Sequence, residues 1–189
     1  YFLILVTMFK TSKVWEWFWR ASLVVSVITV FIGVGEYFQA GASGVRLDAL
    51  FGNPIYFAVY LLFHIFLALF LLTQTKSKLV RWVYGVIILA ELWALYYTGT
   101  RSAQLGLLVG GVAMLACIAI GGWRQRRGRY AAAALALVIL AGGGFWLVRG
   151  SAFVQTSPVL SRLANISLAD ATAQGRLLNW QMALHGLAE

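Results

Sequence analysis

Tyr97-Thr98-Gly99-Thr100-Arg101-Ser102-Ala103-Gln104-Leu105-Gly106-Leu107-Leu108-Val109-Gly110 is a tight polar turn carrying one arginine, set between two long apolar runs. The runs, residues 82–97 and 102–120, approach the roughly 20 residues that a helix needs to cross a hydrocarbon core. The stretch therefore reads as the tip of a pair of membrane-spanning helices, and a full charge at such a tip calls for a partner.

Working outward, the same alternation repeats. Hydrophobic residues make up 61% of the chain and charged residues 11%, and the mean hydropathy is +0.82. That balance predicts an all-α, polytopic transmembrane protein. Five complete spans are expected at 18–38, 54–73, 82–97, 102–120 and 130–148, preceded by a truncated one at 1–9. They form one membrane domain, and residues 149–189 begin a large, more polar outer segment with an amphipathic helix. The chain opens without methionine inside an apolar run and stops after a helix-like pattern, so it reads as a fragment of a longer protein.

The net charge of +9 does not indicate nucleic acid, because the basic residues stand in short clusters between apolar runs, as in cytoplasmic loops. Nine Lys or Arg fall in three such loops, around Lys10 and Lys13, around Lys76 to Arg81, and from Arg124 to Arg129. The two short loops on the other side hold only Arg46 and Arg101. Trp15, Trp17 and Trp19 crowd the start of the second helix like interfacial aromatics, and Arg20 can snorkel to the same surface. Cys117 has no cysteine to pair with and reads as packing. Small-residue patches at Ala131 to Ala134, at Gly142 to Gly144 and in Gly106-x-x-x-Gly110 suggest close helix packing. No paired Cys/His metal spacing, nucleotide-binding glycine loop or nucleophile elbow is present, so neither metal nor cofactor is expected.

Asn53-Pro54 has the chemistry of a helix start, with Asn as cap and Pro in the first turn. The helices starting at Pro54 and after Arg101 both run inward, so both offer unsatisfied N–H groups and partial positive charge at the outer surface. If they are neighbours, Arg46 and Arg101 converge there, with forks suited to phosphate oxygens. A lipid-linked diphosphate fits such a place, its head anionic and its tail in the bilayer. Arg101 can equally be a helix-start residue among headgroups, and Arg46 can pair with Asp48. In the tail, Leu177, Trp180, Leu184 and Leu187 recur at helical spacing, which allows a helix along the membrane surface that directs Arg176 to the same pocket. An ordinary amphipathic helix with a solvated arginine fits that pattern too. Arg149 and Arg162 have no supporting pattern.

His64 and Glu91 fall near the middles of the third and fourth helices, where an ionisable group needs a partner. At about 1.5 Å per residue their depths differ by roughly 5 Å, so they can meet. Two readings stay open for them, a hydrogen-bonded clamp or the proton relay of a transporter.

Three segments together resemble the bacterial O-antigen ligase and O-antigen polymerase superfamily: Arg46-Leu47-Asp48-Ala49-Leu50-Phe51-Gly52-Asn53-Pro54, Thr98-Gly99-Thr100-Arg101-Ser102-Ala103, and Gly175-Arg176-Leu177-Leu178-Asn179-Trp180-Gln181-Met182-Ala183. The resemblance rests on their order, spacing and shared outer location, and covers most of the chain from Arg46 onward. It implies a metal-independent membrane glycosyltransferase of the C type in the bacterial inner membrane. Such enzymes move a glycan from undecaprenyl diphosphate to a hydroxyl of the lipid A core, a polysaccharide or a protein. By that resemblance Arg46, Arg101 and Arg176 bind the diphosphate, and Arg101 and Arg176 assist its departure. The family's general-base histidine lies further along its large outer loop than residue 189; His185 is too near Arg176 to be assigned that role. The chain is thus expected to hold the donor half of a site. The alternatives are a transporter or lipid flippase coupled through His64 and Glu91, and a membrane scaffold without chemistry.

Overall fold

The computed structural model describes residues 7, 9–39, 41, 46–122, 124–157, 160–161, 164 and 171–188, with the side chains of 171–173, 176, 187 and 188 excepted. The elements are α1 (Ser12–Gln39), a 3-10 turn (Ala49–Phe51), α2 (Pro54–Gln74), α3 (Lys78–Thr98), α4 (Arg101–Gly121), α5 (Arg126–Val148), α6 (Ala152–Thr156) and α7 (Ala171–Ala188). No strand occurs among the described residues. The five helices α1 to α5 are each long and apolar enough to cross a membrane. The chain is an all-helical, multi-pass membrane protein.

The expected spans match these helices, with three differences at their starts. α3 begins at Lys78, four residues before the expected 82, since lysine and leucine are good helix formers. α1 starts at Ser12 rather than residue 18 because the tryptophan-rich stretch is itself helical. Its rings pack together, Trp15 on Trp19 at 5.6 Å and Phe9 on Trp15 at 5.1 Å, and the Trp15 indole N–H donates to the Phe9 carbonyl at 2.9 Å. α5 starts at Arg126, four residues early, since arginine is a good helix former and can reach a headgroup surface from a first turn. The truncated span at 1–9 lies outside the described residues apart from Thr7 and Phe9.

Packing separates the chain into two compact units, residues 1–138 and 139–189. In the first, α2 is the central helix. Phe57, Ala58, Leu61 and Ala68 have no exposed surface, and Val30 of α1, Ala94 and Leu95 of α3 and Ala103 of α4 join the cluster around Phe57 and Leu61. In lipid this packing acts through close van der Waals contact rather than through the hydrophobic effect, because lipid tails are as apolar as the side chains. Phe31, Trp82 and Ile120 are more than 70% exposed, as expected of a surface facing hydrocarbon.

Pairwise contacts fix the helix directions. Ser22 meets His64 and Trp19 meets Phe63, while Val30 shares a cluster with Phe57, so α1 and α2 are antiparallel. Ser26 meets Glu91 and Tyr37 meets Tyr97, so α1 and α3 are parallel. α4 runs parallel to α2: Thr100 meets Pro54, and Gly106 and Gly110 pack on Leu62 and Phe66. A Cβ at Gly110 would stand 2.6 Å from the Phe66 ring, so the expected Gly-x-x-x-Gly packing is present. The glycine patch at 142–144 differs from expectation, since a Cβ at any of the three meets nothing within 4 Å among the described residues. Cys117 is exposed rather than packed.

In the second unit Arg149 lies 3.7 Å above the Trp146 ring, a cation–π contact, and its carbonyl accepts from Gln155 Nε2 at 2.8 Å. α7 forms as the tail pattern predicts, with Leu177, Trp180 and Leu184 exposed. Leu178 and Met182 are exposed as well, so the described apolar surface is wider than the expected stripe. Arg162 lies outside the described residues.

Candidate functional site

The turn between α3 and α4 is buried, which is unusual for a connection. Thr98 and Thr100 are 0% and 4% exposed. Gly99 caps α3 with a left-handed backbone (φ 58°) that other residues adopt only at a cost, and its N–H donates to the Tyr96 carbonyl at 3.1 Å. The Thr98 hydroxyl folds back on the Leu95 carbonyl at 2.7 Å and receives the Thr100 N–H at 3.3 Å. Below the turn, the Tyr97 ring packs at a tilt against Trp93 at 4.5 Å and Tyr37 at 5.1 Å.

The segment before α2 is fastened to this turn. The Leu47 N–H donates to the Tyr97 carbonyl at 3.2 Å, and Leu47 itself is buried. Its neighbour Arg46 reaches across: Nε donates to the Thr98 carbonyl at 2.7 Å and Nη2 to the Thr100 hydroxyl at 2.9 Å. Thr100 in turn donates to the Pro54 carbonyl at 3.3 Å. At the start of α2, Asn53 Oδ1 accepts from the Ile55 N–H at 2.9 Å and Pro54 occupies the first turn, as the sequence predicts. The N-termini of α2 and α4 are thus neighbours.

Arg101 is the first residue of α4 and is half-buried. The cap residue Thr100 makes no side-chain bond to α4's own N–H groups, its hydroxyl being engaged with Arg46 and Pro54. Helix-start amides left by their cap are anion-binding groups, and an arginine beside them adds a full charge. The structure therefore brings Arg46 and the start of α4 together. Arg176 is on α7 in the second unit, and its side chain lies outside the described residues.

Comparisons of the chain with family models, with curated proteins and with solved structures return no match.

The intramembrane polar groups form a second constellation. His64 and Glu91 are buried, and each is bonded to α1: Ser22 to His64 Nε2 at 2.8 Å, and Ser26 to Glu91 Oε1 at 2.6 Å. Among the described residues His64 and Glu91 are not bonded to each other: α2 and α3 pack directly together, and each of the two groups turns to a serine of α1 instead. His64 Nδ1 is 2.8 Å from the Tyr60 carbonyl, which can only accept, so that nitrogen carries a proton. In a neutral ring Nε2 then accepts from Ser22. Glu91 Oε2 is buried without a hydrogen-bond partner among the described residues. Sequence reading missed the serines, although Ser22, Ser26 and Thr29 stand at i, i+4 and i+7, which puts them on one helix face. It also missed Thr98 and Thr100 as acceptors for Arg46, for which spacing gives no signal.

Two clefts of the first unit lie near these groups. One of about 470 Å³ at the end opposite the Thr98 turn is lined by Trp15, Glu16, Trp19, Arg20, Gln74 and Tyr84. The other, about 280 Å³ and almost wholly apolar, runs between α1 and α3 and shares Trp93 with the aromatic cluster under the turn. Among the described residues no three of His, Cys, Asp or Glu gather as a metal site.

Proposed function

We propose that this chain carries the donor half of a membrane glycosyltransferase of the O-antigen ligase or polymerase kind. The donor is a glycan on undecaprenyl diphosphate; the acceptor is a hydroxyl of the lipid A core, a polysaccharide or a protein at the outer face of the bacterial inner membrane. The observation that carries the reading is the 3.3 Å bond from Thr100 to the Pro54 carbonyl, which brings two helix N-termini together beside Arg101. The motif resemblance supplies the substrate class.

In the reaction the bond between the sugar's anomeric carbon and the diphosphate oxygen breaks, its electron pair leaving with the diphosphate. The acceptor oxygen bonds to that carbon and gives its proton to a general base. Negative charge grows on the departing diphosphate, and a preorganised guanidinium with helix-start amides lowers the barrier because neither must reorganise. Arg101 does this work, and Arg176 is the second such arginine by resemblance. The tail remains in hydrocarbon, where the groove sharing Trp93 offers it a bed.

The deciding experiment is transfer from undecaprenyl-diphosphate-linked glycan by the full-length protein and its Arg101→Ala variant. Loss in a folded variant supports the reading. Equal transfer by both proteins overturns it.

A further inference from the structure

The edge of the Arg46 guanidinium formed by Nε and Nη2 is the one that grips two phosphate oxygens side-on. Here it grips the protein, through the Thr98 carbonyl and the Thr100 hydroxyl. Thr98 is the last residue of α3, where unsatisfied carbonyls and the negative end of the helix dipole favour a cation. Thr100 uses its hydroxyl twice, accepting from Arg46 and donating to Pro54, which one oxygen with one proton can do. The segment before α2, the end of α3 and the start of α4 are thereby tied around Gly99, two residues before Arg101.

We infer that Arg46 is a positioning residue, acting through Thr98 and Thr100 to fix the start of α4 and Arg101, rather than a ligand of the diphosphate. The inference rests on the transferase reading and reassigns a single arginine within it. Arg46 and Thr100 then act as a unit: removing either opens the clasp, and removing both does little more. Misplacing Arg101 by about 1 Å is enough to lower transfer by on the order of 10- to 100-fold.

The test uses the full-length protein and measures donor KM, kcat and thermal unfolding for Arg46→Ala, Arg46→Lys, Thr100→Val, Thr100→Ser and the Arg46→Ala/Thr100→Val double variant. Lysine keeps the charge that a phosphate needs but, as a point charge, cannot replace the planar fork across the two acceptors. Arg46→Lys is therefore expected to fall with Arg46→Ala, mainly in kcat. Thr100→Ser keeps the hydroxyl and is expected to transfer like the parent, and the double variant like the worse single one. Transfer by Arg46→Lys near the parent level, or losses that multiply in the double variant, overturns the inference and makes Arg46 a donor ligand. Should Thr100→Val fail to fold, the Lys and Ala variants of Arg46 decide alone. If Arg101→Ala transfers normally, the transferase reading itself is what fails.

Discussion

Ser26 of α1 donates to Glu91 of α3 at 2.6 Å, and one turn earlier Ser22 holds His64 of α2 at 2.8 Å. Two serines of one helix thus stitch α1 to both of its neighbours at membrane depth. Removing the Ser26 hydroxyl leaves the buried Glu91 carboxyl with neither oxygen bonded to a side chain, since Oε2 already has no partner among the described residues. Ser26→Ala is expected to destabilise the bundle by about 1–2 kcal/mol, read as a lower midpoint of thermal unfolding in detergent. An unchanged midpoint would mean that the stitch contributes nothing.

Glu91→Gln preserves shape and one hydrogen-bonding oxygen while removing the ionisable group. In a transferase with a structural seam, transfer stays within about threefold of the parent, a change under 1 kcal/mol on the barrier. In a transporter coupled through His64 and Glu91 this variant would be the damaging one and Arg101→Ala the mild one, so the two assays side by side separate the classes.

Arg101→Ala removes the full charge at the start of α4. The expected loss of transfer is on the order of 100-fold or more, comparable to deleting a donor that stabilises charge in a transition state. The unfolding midpoint of the variant must stay near the parent's for this to be read as chemistry.

The tight contact of Gly110 with Phe66 carries α4 onto α2. Gly110→Leu would have to displace the ring, at an expected cost of about 1–3 kcal/mol, and Phe66→Ala should restore some of the stability in the double variant. Because α4 also presents Arg101, the Leu variant should lose transfer together with stability.

Orientation has its own readout. In a Cys117→Ala background, cysteines placed at the exposed Ser77 and Ser102 lie at opposite ends of the helices. A membrane-impermeant thiol reagent added to the outer side of the membrane is expected to label position 102 and not position 77. The reverse pattern would invert the topology read from the basic loops.

The spans were legible because in lipid each helix must satisfy its own backbone, which makes an apolar run of sufficient length nearly sufficient to define it. Asn53-Pro54 and Gly99 were legible as a cap and a break for similarly local reasons. Gly106 and Gly110 announced packing through their four-residue spacing, whereas the glycines at 142–144 have no neighbour on them among the described residues. His64 and Glu91 were visible as costly groups, but which residues satisfied them depended on the face that α1 turns toward α2 and α3.

The sequence by itself determined that this protein is a helical membrane protein with a charged turn after residue 97, because hydropathy, length and turn chemistry are local properties. Only the tertiary structure decided that α2 and α4 start side by side, that Ser22 and Ser26 receive the buried polar groups, and that Arg46 spends its fork on Thr98 and Thr100. Those outcomes join residues 42 to 65 positions apart, and a hydrogen bond across such a separation depends on which helix faces meet, a property of the packed bundle that no single segment contains.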